Sequence, residues 1–225
     1  MGLPIAANNW DQRYRRGEHA NDLPLDFIAR LLPEGEGRRA LDIACGAGRH
    51  AALMAARGWR VTAVDWSEAA LEMVRMRDPR IGAIAADLEA GSFEIERDCW
   101  DLICVSFYLQ RDLFAAIRDG LKPGGLVVAA FPMVDERADV GALNPLYLLG
   151  AGELRALFDG FEILHDVETD PPAPKRRTAE IVARKCRLTD TINEDFSLHA
   201  DPSGTGHTGE LWDGKRGQQL GGHLR

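Results

Sequence analysis

The sequence predicts an α/β protein built on a doubly wound sheet of about seven strands, mostly parallel and ending in an antiparallel hairpin. Three observations carry this. Short apolar runs alternate with helix-patterned stretches from Ala40 to Phe131. The first run holds an acid, Asp42, and leads through the small-residue turn Ala44-Cys45-Gly46-Ala47-Gly48 into a helical stretch. The last two runs, 161–168 and 178–186, are joined by a Pro-rich turn with no room for a crossover helix, so they should pair antiparallel.

The elements come in order along the chain. Residues 8–22 are polar and aromatic, with Trp10 and Tyr14 four apart on one helical face. Residues 23–32 place Phe27, Ile28, Leu31 and Leu32 at amphipathic spacing. Residues 33–37 are a turn, and 40–44 a strand apolar enough to be buried on both faces. Residues 49–57 are helical, stopped by Gly58. A second strand spans 60–64, and Ser67 can cap the next helix, which ends near Arg77 before Pro79. Strands at 81–86 and 100–107, a helix at about 112–119 and a strand at 126–131 complete the alternating part. Residues 132–150 are a long insertion of the kind that forms binding lids. A short helix at 153–158 precedes the closing hairpin. Seven glycines fall between Asp201 and Gly222 without periodicity, so residues 187–225 are expected to be a disordered or loosely attached tail. The implied organisation is an N-terminal helical cap (1–36), a nucleotide-binding domain (37–186) and that tail.

Composition narrows the partners. With 225 residues, 45% hydrophobic and 28% charged, the chain suits one globular domain with a full core. A net charge of −8 disfavours a nucleic-acid surface. No apolar run is long enough for a signal peptide or a membrane span. The four cysteines, 45, 99, 104 and 186, are not spaced as zinc ligands and read as free thiols in a reducing cytoplasm, with no metal.

The turn after the first strand decides the ligand. Gly46-x-Gly48-x-x-Ala51 fits the loose dinucleotide fingerprint. Asp42, however, would repel a pyrophosphate, and Arg49 and His50 would crowd the helix N-terminus that a pyrophosphate needs bare. Asp65 comes 23 residues after Asp42, close to the spacing of a ribose-binding acid. A ligand with an adenosine end and a positive centre fits better, and S-adenosylmethionine is such a ligand.

Asp42-x-Ala44-Cys45-Gly46-x-Gly48-Arg49-His50 resembles the first motif of class I S-adenosylmethionine-dependent methyltransferases, which share a Rossmann-like sheet. Leu121-Lys122-Pro123-Gly124-Gly125 resembles the turn before their fifth strand. Within that superfamily the chain is most similar to small bacterial enzymes of the tellurite-resistance and thiol-methyltransferase type. That likeness rests on Trp10-x-x-Arg13-Tyr14, Tyr108-Leu109-x-Arg111, Asn144-Pro145-x-x-Leu148-Leu149, Glu153-Leu154 and Ala183-Arg184-Lys185. It covers residues 8 to 186.

The resemblance implies that Asp65 takes the ribose hydroxyls and that Asp87 and the backbone of Leu88 meet adenine. Ala44, Cys45, Gly46 and Gly48 would pass beside the methionine part, with Asp42 near its ammonium and Ser106 at the neighbouring strand end. Trp66 is placed either to stack on adenine or to pack plainly, and Asp65 and Asp87 either to bind the ligand or only to cap the following helices. Tyr108 and Arg111, just after the fourth strand, are the candidates for positioning the methyl acceptor. Arg111 could grip an anionic acceptor with a charge-assisted fork, or be a surface residue of the next helix. Arg13, Tyr14 and Asn144 are further substrate candidates. His50, His165 and Glu153 are the possible bases, and none has a convincing setting, which favours an anionic or thiol-like small acceptor. Two other functions fit less well. An NAD-dependent oxidoreductase would need a proton donor and a nicotinamide pocket, and a non-catalytic S-adenosylmethionine-binding module would need no acceptor site.

Overall fold

The computed structural model describes residues 5–137 and 143–187; the tail expected from 187 onward lies, beyond Arg187 itself, outside the described residues. Two helices, α1 (Ile5–Arg15) and α2 (Asp26–Leu31), precede the sheet. Then β1 (Arg39–Ile43), α3 (Arg49–Ala56), β2 (Arg60–Asp65), α4 (Glu68–Arg77), β3 (Gly82–Ala85), β4 (Trp100–Ser106), α5 (Leu113–Gly120) and β5 (Leu121–Pro132) alternate. A 3-10 turn (Pro145–Tyr147), α6 (Glu153–Leu157) and the hairpin β6 (Phe161–Glu168) and β7 (Thr178–Lys185) close the chain.

The seven strands run in the order β3-β2-β1-β4-β5-β7-β6. Pairings from β3 through β5 are parallel, and β7 pairs antiparallel with both β5 and β6, as the Pro-rich connection requires. β1 and β4 lie side by side although β2 and β3 come between them in sequence, so the strand order reverses there. That reversal opens a crevice at the carboxyl ends of the strands, where open α/β sheets bind ligands.

Period-two alternation sends successive residues of each central strand to opposite cores. On one face Leu41, Ile43, Ile103, Val105, Val127, Ala129 and Phe131 pack with Phe114 and Ile117 of α5 and with Phe158. On the other, Ala40, Leu102, Cys104, Val128 and Ala130 pack with Phe27 and Ile28 of α2 and with Ala51 and Met54 of α3. Both faces are apolar and buried, as parallel strands flanked by helices must be. Ser67 caps α4 as its position in the sequence predicts, its hydroxyl accepting from the Ala70 amide at 3.2 Å. One local expectation is corrected. Residues 121–125, read as a turn, already belong to β5, because Leu121 pairs with Trp100 before the register shifts at Leu102.

Candidate functional site

The turn after β1 is wound through left-handed backbone. Ala44, Gly46 and Gly48 have φ of +50°, +53° and +76°. Ala44 carries a Cβ in that region, a strained choice of the kind that collects at functional turns. A Cβ on Gly46 would lie 2.5 Å from the Tyr14 hydroxyl, and one on Gly48 would lie 2.7 Å from Cγ2 of Val74. The two glycines therefore let α1 and α4 close on the turn, in addition to baring its backbone.

Asp42 and Asp65 stand on the adjacent strands β1 and β2, and both are buried. Asp65 accepts from the Gly46 amide at 2.9 Å and from the Ser67 amide at 2.9 Å, which ties the glycine turn to the end of β2. Burial nevertheless raises its carboxyl above the usual range. Asp42 is 1% exposed and its Oδ2 has no hydrogen-bond partner. Burial pushes its carboxyl up to about 7, opposed by the Ala51 backbone, the Cys104 thiol and Arg49. An orphaned buried carboxylate is costly, and a cation beside it would lower that cost.

His50 completes this buried group. Its Nε2 accepts from the Leu25 amide at 3.3 Å and its Nδ1 lies 3.2 Å from the Ser106 hydroxyl. Burial and the neighbouring Arg49 lower its pKa to about 3. The ring is thus neutral and engaged on both nitrogens, and it holds the N-terminal segment to the end of β4 instead of serving as a base. Asp42, His50 and Cys104 bring one possible metal ligand each within 4.8 Å of one another. Both histidine nitrogens are occupied and burial keeps the Cys104 thiol protonated, so the trio is a packed polar cluster.

The end of β3 is more open. Asp87 Oδ1 accepts from the Ala90 amide at 3.1 Å in a turn and not at the helix start expected of a cap, while its other carboxylate oxygen keeps acceptor capacity. Leu88 is buried and Trp66 half-buried. Cys45 is buried, its backbone amide donating to the Val64 carbonyl at 3.0 Å.

Beyond β4, Arg111, read either as a grip on an anionic acceptor or as a surface residue of the next helix, makes its contacts within the protein. Its Nε and Nη2 donate to the two Glu153 oxygens at 2.6 and 3.1 Å, and its Nη1 and Nη2 donate to the Leu146 and Leu148 carbonyls at 2.9 and 3.0 Å. The side chain clips the segment after β5 to the start of α5. Asn144 is exposed and caps the 3-10 turn through the Leu146 amide at 3.0 Å. The half-buried Tyr108 donates its hydroxyl to Gln110 at 2.7 Å. Arg13 is held by Glu18 and His19 and lies over Trp10, whereas Tyr14 is buried on the glycine turn. His165 stacks on Phe27 and faces Glu180, a structural setting.

Two residues escaped the sequence reading. Asp11 of α1 accepts from the Ser67 hydroxyl at 2.7 Å, fastening the helix beside Asp65. Phe107, directly after β4, has φ of +59°. Its place directly after Ser106 was the only signal available.

Residues 40–125 match the family model of the methyltransferase domain. A ubiquinone biosynthesis O-methyltransferase of Alkalilimnicola ehrlichii is 50% identical over 56 residues, 25% of this chain and 23% of that protein. The chain spans 23%, 43% and 50% of the lengths of the first curated relatives it matches. Two solved structures share the fold. TehB from Haemophilus influenzae superposes with a TM-score of 0.60 at 18% identity, covering 78% of this chain and 67% of its own. Phosphoethanolamine N-methyltransferase 2 of Haemonchus contortus, solved with S-adenosyl-L-methionine, gives 0.65 at 18% identity, covering 83% and 61%. The matched domain spans the glycine turn, Asp42 and Asp65, and the fold around it is one these solved structures share, so over residues 40–125 the chain is similar to S-adenosylmethionine-dependent methyltransferases.

Proposed function

We propose that the protein transfers the methyl group of S-adenosylmethionine to a small-molecule acceptor at the carboxyl ends of β4 and β5. The observation that carries this is the pair of buried acids, Asp42 and Asp65, at adjacent strand ends around the Gly46–Gly48 turn. The donor set suits a ligand with a diol and a cationic centre and repels a dianionic pyrophosphate. Asp65 would hold the ribose through lone pairs that its two amide contacts leave over. Asp87 and the Leu88 backbone would meet adenine, with Trp66 beside it, and the Ala44–Gly48 turn with Asp42 would take the methionine end. Residues 1–36 act as a cap over a 37–186 domain, a reading supported by Tyr14 on Gly46 and Asp11 on Ser67.

When bound, the sulfonium supplies an activated methyl group for in-line displacement, so the chain's task is alignment and exclusion of water. His50 is neutral and doubly hydrogen bonded, and Glu153 is held ionised by Arg111. With neither free to accept a proton, an acceptor that ionises readily by itself is favoured: a thiol or an acidic hydroxyl. The second class also agrees with the O-methyltransferase named among the relatives. An anionic acceptor held by Arg111 loses its support, because Glu153 occupies that fork. Among the described residues no helix is long and apolar enough to cross a membrane, and the net charge of −8 favours a small molecule over nucleic acid. A reducing cytoplasm suits the four thiols.

Calorimetry with S-adenosylhomocysteine, S-adenosylmethionine and NAD tests the reading. Binding of the first two without NAD is expected; tight NAD binding with no response to S-adenosylhomocysteine would sink it. Labelled methyl donor with thiols, phenols and tellurite then identifies the acceptor class.

A further inference from the structure

Phe107 combines two features that disfavour each other in a free protein. Its backbone is left-handed, with φ of +59°, where a residue with a bulky side chain is strained and Gly or Asn would be accommodated more easily. Its ring is also 48% exposed, so the strain is not compensated by burial in either core. The position is firmly held, since the Phe107 amide donates to the Ala130 carbonyl of β5 at 2.8 Å. Among the described residues, Arg49 lies over the ring, its guanidinium carbon 5.4 Å from the ring centroid. Arg49 comes directly after Gly48, so the ring stands beside the cofactor turn. Ser106, the preceding residue, is bound to His50 of α3, the helix that follows that turn. Next to this strand end, Arg111 anchors the carbonyls of Leu146 and Leu148, and Leu146 and Tyr147 are themselves exposed.

We propose that Phe107 is the platform of the methyl-acceptor pocket and that the acceptor is a flat aromatic molecule bearing a thiol or acidic hydroxyl. The inference rests on the methyltransferase reading above. Stacking on the exposed ring face recovers the apolar contact that the free protein lacks. Arg49, already at the ring, favours the ionised form of the acceptor's sulfur or oxygen without removing a proton itself. A tellurite or halide acceptor has no use for such a surface, and a glycine would have served the backbone better.

The test uses the full chain saturated with S-adenosylhomocysteine and two probes, 2-naphthalenethiol and 2-naphthol, with methanethiol as the small comparator. Wild type is expected to bind a naphthyl probe measurably and to methylate it in preference to methanethiol when given labelled donor. Phe107→Asn should weaken probe binding at least tenfold while S-adenosylhomocysteine affinity stays within twofold. Its melting temperature should hold or rise, because Asn tolerates the left-handed conformation. Phe107→Tyr keeps the ring and should retain binding. A Phe107→Asn protein that melts lower yet binds the probes normally would make the ring structural and overturn the inference. So would a wild type that binds S-adenosylhomocysteine and methylates methanethiol or tellurite but neither naphthyl probe, leaving the methyltransferase reading intact. Absence of S-adenosylhomocysteine binding would overturn both.

Discussion

Arg111 and Glu153, 42 residues apart in the chain, face each other as a two-pronged pair, Nε to Oε1 at 2.6 Å and Nη2 to Oε2 at 3.1 Å. Glu153 in turn accepts from the Gly150 amide at 2.9 Å, so the pair closes the end of the segment after β5.

Arg111→Ala is expected to lower stability by about 1–2 kcal/mol, since it removes two carbonyl contacts and one bidentate but partly exposed ion pair. Arg111→Lys should restore little, because an ammonium cannot reach both carboxylate oxygens and two carbonyls in one geometry. Thermal melting measures the loss, and cleavage by a protease near residues 143–150 should become faster. S-adenosylhomocysteine affinity should stay within about twofold. Unchanged melting with a collapse of methyl transfer would instead place Arg111 on the acceptor.

Asp65→Ala should act twice. The Gly46 and Ser67 amides lose their acceptor in a buried setting, at roughly 1–3 kcal/mol each in stability. Cofactor affinity should fall as well, by about 1–3 kcal/mol for the missing charged hydrogen bonds. Asp65→Asn keeps one oxygen acceptor and should fall between. Calorimetry at a temperature where each variant is folded separates the two effects; full affinity in a folded Asp65→Ala would remove the residue from the site.

These contrasts mark what the sequence could carry. The Asp42-to-Asp65 unit was legible because strand, turn, helix and strand each have a local period or a local residue signal, and Ser67 announces its cap in the same way. The antiparallel ending was legible from chain length alone, since 170–177 cannot hold a crossover. The partner of Arg111 was not, because an ion pair across 42 residues leaves no periodic trace, and a fork that fits an anionic ligand fits Glu153 equally well. His50 reads as a possible base until Leu25 and Ser106 appear on its two nitrogens. Phe107 is an ordinary letter in the sequence; only its φ and its exposure distinguish it.

The fit of α1 over the glycine turn yields a steric prediction. Gly46→Ala places a Cβ 2.5 Å from the Tyr14 hydroxyl but 3.4 Å from the ring carbon that bears it. The clash is therefore mainly with the oxygen. Gly46→Ala should destabilise by about 1–3 kcal/mol through clash and left-handed strain together. Adding Tyr14→Phe should return the clash part and leave the strain, so the double variant is more stable than the sum of the single changes implies. A double-mutant cycle by chemical denaturation reads the coupling. Strict additivity would mean that α1 does not rest on the turn in solution.

The buried neighbours Asp42 and His50 make opposite contributions to the pH dependence of stability. Asp42 has a carboxyl raised from 3.8 to about 7, chiefly by burial, so between those values the folded state binds more protons than the unfolded chain. Its contribution to stability is complete below about pH 4 and is lost as pH rises to 7. His50 is lowered from 6.5 to about 3, again chiefly by burial, so the folded state binds fewer protons over that range. Its contribution is complete above pH 6.5 and is lost as pH falls. Each slope approaches about 1.4 kcal/mol per pH unit, and from about pH 4 to 6.5 the two cancel. Transfer of one proton from Asp42 to His50 would leave the proton count, and hence the cancellation, unchanged. Asp42→Asn should unmask the histidine, making stability rise with pH across this window relative to wild type. His50→Gln, which keeps an acceptor for the Leu25 amide, should unmask the acid and make stability fall with pH. Asp65, also raised by burial, tilts all three curves alike, so the differences from wild type are the readout. Denaturation midpoints at pH 4.5, 5.5 and 6.5 suffice. Parallel curves for wild type and both variants would show that neither group is held in an unusual protonation state by its burial.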